Sequence, residues 1–158
     1  MSIKTSFSIK DLENLSGIKA HTIRIWEKRY NILEPERSNS NIRTYDLASL
    51  QKILNVSVLN QNGCKISKIS EYDEAEINAK VKKLTLESNA QSIAINDFKL
   101  AMLNFDQDLF EKTYNKLLAT HSFRDIFLEK FLLLLEDIGN LWATDTIGPA
   151  HEHFISSL

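Results

Sequence analysis

Between Phe123 and Ile138 the chain sets Phe123, Ile126, Phe127, Phe131, Leu134, Leu135 and Ile138 at helical spacing, and Leu128, Leu132 and Leu133 widen that apolar face almost to a full circle. A helix that is apolar nearly all round must be covered by other helices. The pattern therefore predicts a central, buried rod inside a bundle. With only 4 Gly and 2 Pro in 158 residues, a turn-rich all-β fold is excluded, and the expected class is all-α. The longest uninterrupted apolar run, Phe131 to Leu135, falls far short of the ~18 residues of a membrane span, so no membrane partner is expected. The N-terminal stretch MSIKTSFS lacks the apolar core of a signal peptide. A single cysteine, Cys64, gives neither an internal disulfide nor a thiolate metal cluster. A cytoplasmic protein without a metal site is the expectation.

Helical spacing and capping residues divide the chain further. Ser8, with Asp11 three residues on, can cap a first short helix carrying Ile9, Leu12 and Leu15, and Ser16-Gly17 breaks it. A second helix is expected from about Lys19 to Tyr30, with Ile18, Thr22, Ile23 and Trp26 toward a core. Two short helices joined by a glycine turn form a helix-turn-helix pattern. Residues 31–43, with Pro35 and Ser38-Asn39-Ser40-Asn41, read as a loop or small hairpin, which is a β wing. A third helix is expected over about Asp46 to Asn60, ended by Asn62-Gly63. Ile66 and Ile69 continue a packed segment, and a polar helix covers about Asp73 to Leu84. The expected organisation is a first domain over 1–84, a linker over 85–91 and a four-helix bundle over 92–158. Its helices lie at about 93–104, 107–119, 123–142 and 149–158, with Asp106, Ser122 and Gly148-Pro149 at their starts.

Charge is unevenly spread: residues 1–83 carry 14 Lys/Arg against 10 Asp/Glu, and residues 84–158 carry 5 against 11. The sign of the first half permits a nucleic-acid partner. The second helix of a helix-turn-helix enters the major groove, where cationic and polar side chains meet phosphates and base edges. The candidates here are Lys19, His21, Thr22, Arg24, Lys28, Arg29 and Tyr30. The following loop adds Arg37, Ser38, Asn41 and Arg43. From periodicity and charge alone, a solvated helix face beside an ordinary loop stays open as the alternative.

The run Thr22-Ile23-Arg24-Ile25-Trp26-Glu27-Lys28-Arg29-Tyr30, followed by Pro35-Glu36-Arg37 and Arg43-Thr44-Tyr45, resembles the winged helix-turn-helix of MerR regulators. The resemblance covers roughly residues 6–70, including the Asn62-Gly63 break and Ile66-Ser67-Lys68-Ile69. It implies a sequence-specific, promoter-binding transcription regulator, not an enzyme. It makes Thr22, Arg24, Lys28, Arg29 and Tyr30 helix contacts to double-stranded DNA and puts Arg37 and Arg43 in the wing. Trp26 and Tyr45 then pack the wing against the helix. Asn41-Ile42 replace the usual Gly-Tyr of the wing; asparagine tolerates the left-handed backbone, so the turn is expected to survive.

In the second half, Trp142, nine intervening residues and Glu152-His153 resemble the helical cap of cobalamin-binding regulators of the CarH/LitR type, which carry the same MerR head. The resemblance implies that Trp142, Glu152 and His153 surround the upper face of adenosylcobalamin. Light-sensing members place a histidine directly after this tryptophan, and here Ala143 stands there. The lower half of such a site lies in a following α/β domain with an Asp-x-His-x-x-Gly loop, a motif this sequence lacks. The expectation is a chain truncated before that domain, binding cobalamin weakly by itself. A regulator, expected to repress, with a corrinoid-sensing cap is the leading reading. A MerR-type regulator whose bundle serves only protein contacts, and the cap of a corrinoid methyl carrier, are the alternatives. Homo-oligomer formation stays open.

Overall fold

The structure is a computed structural model that describes residues 4–87 and 90–158, the side chains of 85–92 excepted. Its contacts divide the described residues into two compact units, one of residues 5–87 and one of residues 90–158 together with Lys4. The linker expected over 85–91 falls partly outside the described residues; helix runs up to Glu87 on one side and resumes at Ala90 on the other.

The first unit runs α1 (Ile9–Ser16), α2 (Ala20–Tyr30), β1 (Glu36–Arg37), β2 (Arg43–Thr44), α3 (Leu47–Gln61), α4 (Ile66–Ile69) and α5 (Glu74–Glu87). Local chemistry sets these bounds. The Ser8 hydroxyl accepts the Asp11 N–H, the Asp11 carboxylate accepts the Ser8 N–H, and Gly17 closes α1 at φ 75°. Asp46 caps α3 through the Ser49 N–H, and Gly63, at φ 89°, follows its end. α3 packs against α1, α4 and α5, so it buries residues on more than one side: Leu50, Ile53, Leu54, Val56, Val58 and Leu59. The two strands pair antiparallel, Glu36 with Thr44 and Arg37 with Arg43.

The second unit runs α6 (Ala90–Asn104), α7 (Gln107–Leu118), α8 (Phe123–Ile126), a π-helical turn (Phe127–Phe131), α9 (Leu132–Ala143) and α10 (Pro149–Ser156). The expected caps form: Asp106 accepts from Leu109 N–H, and Ser122 with Asp125 makes a reciprocal pair of bonds. From α8 to α9 the backbone is one continuous helical rod. Within it the Leu132 N–H reaches back to the Phe127 carbonyl, five residues earlier.

The rod departs from the expectation of full burial. Its covered residues are Ile126, Lys130, Leu134, Ile138 and Leu141, a stripe stepping mostly by four. Such a stripe drifts around a straight 3.6-residue helix, and the π turn, with roughly one residue more, takes up the drift. Phe123 (60% exposed), Phe127, Leu128, Leu132, Leu133 and Leu135 are left exposed. The neighbouring helices α6 and α7 cover one flank only. Phe131 is the hub of that flank, with ring centroids 5.5 Å from Phe98, 6.3 Å from Phe110 and 6.1 Å from Tyr114. Two buried ammonium groups join this core: Lys99 of α6 bonds Asp137 of α9 at 2.7 Å, and Lys130 lies 3.7 Å from Glu129.

One-sided burial has a measurable consequence. Leu134→Ala removes a covered side chain and is expected to cost about 2–4 kcal/mol of stability, whereas Leu132→Ala should cost less than about 1 kcal/mol. Denaturant titration followed by circular dichroism distinguishes them; equal losses would mean that both faces of the rod are covered.

Candidate functional site

Two groups of candidate residues are set out by the fold, one in each unit. In the first, α2 buries Ile23 and Trp26 and turns His21, Arg24, Lys28 and Arg29 outward, with Thr22 and Tyr30 half-buried. Lys28 and Arg29 occupy the last turn, where the helix dipole favours cations. Ile25 is exposed on the same face, an apolar member that charge and hydrogen-bonding reasoning passed over. Lys19 is exposed and ion-paired with Glu13 at 3.5 Å. Glu13 also accepts the Ala20 N–H at 3.0 Å, so a carboxylate of α1 caps α2 where Lys19 supplies no cap. That hydrogen bond, then the one from Lys10, holds the Glu13 carboxyl below its ordinary range. Glu13 lies seven residues before Ala20, beyond the reach of any local capping pattern.

The wing folds onto itself through polar groups. Asn41 takes φ 61°, the left-handed conformation expected of it. Its N–H bonds the Ser38 carbonyl at 2.8 Å, and its Oδ1 accepts Arg37 Nη1–H at 2.7 Å. The Ser38 N–H bonds the Ile42 carbonyl at 3.0 Å, and the Ser38 hydroxyl accepts the Ile42 N–H at 3.2 Å. Ile42 projects at the tip, exposed. Ser38 and Asn41 therefore brace the turn, while the Arg37 guanidinium is drawn toward Asn41.

Arg43 differs from a free wing arginine. Its Nε–H bonds Glu27 Oε2 at 3.2 Å, with the Glu27 side chain 9% exposed and that of Arg43 29% exposed. Glu27 Oε1 accepts the Tyr45 hydroxyl, and Tyr45 is buried. Burial first, then the Glu27 carboxylate, pushes the Tyr45 phenol well above its ordinary value, so it remains a hydrogen-bond donor. The Tyr45 backbone also exchanges two hydrogen bonds with Phe7, 2.8 and 2.9 Å. Sequence reasoning placed Tyr45 and Trp26 in structural roles, as seen, but missed Glu27. Glu27 lies 16 residues from Arg43 and 18 from Tyr45, and no short spacing reports such a pair.

In the second unit, Trp142 stands in the last turn of α9 with 46% of its surface exposed. Glu152 and His153 are exposed on α10. The turn between them, 144–148, folds back as Thr146 N–H bonds the Leu141 carbonyl, and Asp145 takes φ 55°. All three motif residues thus flank one turn with accessible side chains. His151, between Pro149 and Glu152, behaves differently. It is 8% exposed, stacks on Phe105 with centroids 4.9 Å apart, and accepts the Gly148 N–H at Nδ1. Its Nε2 has no hydrogen-bond partner among the described residues. Separately, an apolar groove of about 660 Å³ is lined by Phe110, Tyr114, Phe123, Phe127, Leu135 and Ile155, among others. Among the described residues no cluster of His, Cys, Asp or Glu could hold a metal ion, and no helix is long and apolar enough to cross a membrane.

A cationic recognition helix followed by a two-stranded wing defines a winged helix-turn-helix, here joined in sequence to a helical unit carrying the Trp142, Glu152, His153 motif. Residues 7–76 match the family described as MerR HTH family regulatory protein, and residues 94–158 match the B12 binding domain. The chain therefore combines a MerR-type helix-turn-helix with a helical B12-binding domain. Its curated relatives include the HTH-type transcriptional repressor CarH of Myxococcus xanthus, 25% identical over 160 residues, covering 97% of this chain and 53% of the relative. The HTH-type transcriptional regulator MlrA of Salmonella typhimurium and of Escherichia coli is 29% identical over 63 residues, 40% of this chain and 26% of the relative. The chain thus spans about half the length of the first relative and about a quarter of the second.

Burial, aided by the charge of Lys4, lowers the His151 pKa from its ordinary 6.5. A folded value below the unfolded one means that the stability linked to this neutral imidazole is complete above pH 6.5 and is lost as pH falls through the folded value. Thermal melts at pH 7.5 and 5 are expected to show a drop that His151→Gln reduces; an unchanged drop would assign the acid sensitivity to other groups.

Proposed function

We propose that this chain binds double-stranded promoter DNA and regulates transcription, and that its helical unit is the cap half of a cobalamin-sensing module. The observation that carries the DNA reading is the outward cationic face of α2, with His21, Arg24, Lys28 and Arg29 exposed, next to a wing tied to the same helix through Glu27. In this reading Arg24, with Thr22 and Lys28, meets the major groove. Lys19, Arg29, Tyr30, Arg37, Ser38, Asn41 and Arg43 serve phosphates and the flanking groove. The chain performs no catalysis, acts in the cytoplasm, and represses, the sign named for its Myxococcus xanthus relative.

The sensing reading rests on the accessible Trp142, Glu152 and His153 around the 144–148 turn. Bound cobalamin would supply a large apolar ring with a polar upper ligand. Trp142 would cover apolar surface, while Glu152 and His153 would hydrogen-bond hydroxyl groups. Ala143 offers no imidazole to the ligand, so a response needing a histidine at that position is not part of this proposal. A second reading, in which the bundle makes protein contacts, is favoured by one observation: the exposed apolar side of the rod, Phe123, Phe127, Leu128 and Leu132.

Arg24→Ala is expected to weaken duplex binding and to lower the slope of log affinity against log salt by about one. Fluorescence anisotropy across a salt series checks this; an unaltered affinity and slope would remove α2 from the interface. In a protein that also contains the α/β cobalamin domain, Trp142→Ala should loosen adenosylcobalamin, read by absorbance titration. Titration curves that coincide would take Trp142 out of the site and favour the protein-contact reading.

A further inference from the structure

We propose that Glu27 is the positioning residue of the DNA interface: its carboxylate clamps the wing to the recognition helix and fixes the direction of Arg43. This deepens the DNA-binding reading and rests on it. A carboxylate on a helix that meets phosphates is electrostatically adverse, and charge alone would make its removal beneficial. The geometry gives it a different task. Glu27 is largely withdrawn from solvent and accepts two donors from the far side of the wing, Tyr45 Oη–H at one oxygen and Arg43 Nε–H at the other. Each strand of the wing has two residues, too few to define its own orientation against α2. Tyr45 is itself held by the backbone bonds to Phe7. Glu27 thereby connects α2, β2 and the segment before α1.

The clamp also divides the labour of the Arg43 guanidinium. Nε–H is spent on Glu27, and the Nη1 and Nη2 donors are the ones left to meet a phosphate in a fixed fork. Lysine at position 43 would keep the charge, but its ammonium has no planar fork and, bonded to Glu27, could not present two fixed, parallel donors to a phosphate. Glutamine at position 27 is close to isosteric: its carbonyl can accept Arg43 Nε–H while its amide donates to the Tyr45 oxygen. The clamp and the charge therefore predict opposite results for simple substitutions.

The experiment measures binding of the whole chain to a mixed-sequence DNA duplex over a salt series, with melting temperature as a folding control. Glu27→Ala is expected to weaken binding by about tenfold, as does Arg43→Ala, and the double variant should bind no more weakly than Arg43→Ala. Glu27→Gln should stay within about twofold of the parent chain. Arg43→Lys, which keeps the positive charge, should bind nearly as weakly as Arg43→Ala. The proposal is overturned if Glu27→Ala binds as well as or better than the parent chain, or if its effect multiplies with that of Arg43→Ala. Should Glu27→Ala fail to fold, Arg43→Lys decides: binding equal to the parent chain overturns the clamp. Arg24→Ala separates this failure from that of the underlying reading. If it weakens binding while the Glu27 and Arg43 variants do not, only the clamp falls. If the parent chain and Arg24→Ala bind the duplex equally poorly, the DNA reading falls with it.

Discussion

A wing of two residues per strand cannot hold itself in place, and the first unit is organised around that constraint. Its strand pairing fixes the register of Glu36 with Thr44 but says nothing of where the hairpin points. Direction comes from Tyr45. The phenol is buried, its hydroxyl is taken by Glu27, and its backbone pairs with Phe7. Burying a hydroxyl without an acceptor costs on the order of 1–3 kcal/mol, so the carboxylate and the tyrosine hold each other in the interior. Through the same carboxylate Arg43 of the wing is held against α2, the helix with the outward cationic side chains.

The second unit solves a different problem. The rod formed by α8, the π turn and α9 carries more apolar surface than its neighbours cover. Phe131 gathers Phe98, Phe110 and Tyr114 into one aromatic cluster, and that cluster selects the inward side. The π turn then keeps Ile126, Lys130, Leu134 and Ile138 on that side despite their four-residue spacing. An apolar face left toward solvent is unusual for a folded unit standing alone.

Much of this was legible beforehand. The Ser8, Asp106 and Ser122 caps, the Gly17 break, the left-handed Asn41 and the proline start of α10 each follow from side chains acting within one turn. Tyr45 and Trp26 were also read as packing residues. Glu13, Glu27, Ile25 and His151 were not read as part of the two sites. Glu13 and Glu27 act on partners seven to eighteen residues away, and His151 is hidden by Phe105, some 46 residues earlier. The rod misled because its sequence is apolar nearly all round, which specifies that coverage is wanted without saying from which direction it comes.

Helix and turn positions, the cationic sign of α2 and the placement of the Trp142, Glu152, His153 motif were set by the chain itself, because capping, glycine conformations and helical periodicity operate over a few neighbouring residues. Tertiary packing alone decided that Arg43 shares its guanidinium with Glu27, that His151 is buried while Glu152 and His153 are not, and which side of the rod meets solvent. Burial and charge pairing depend on which distant segments arrive at a given place, and that is settled only when the whole unit closes around its core.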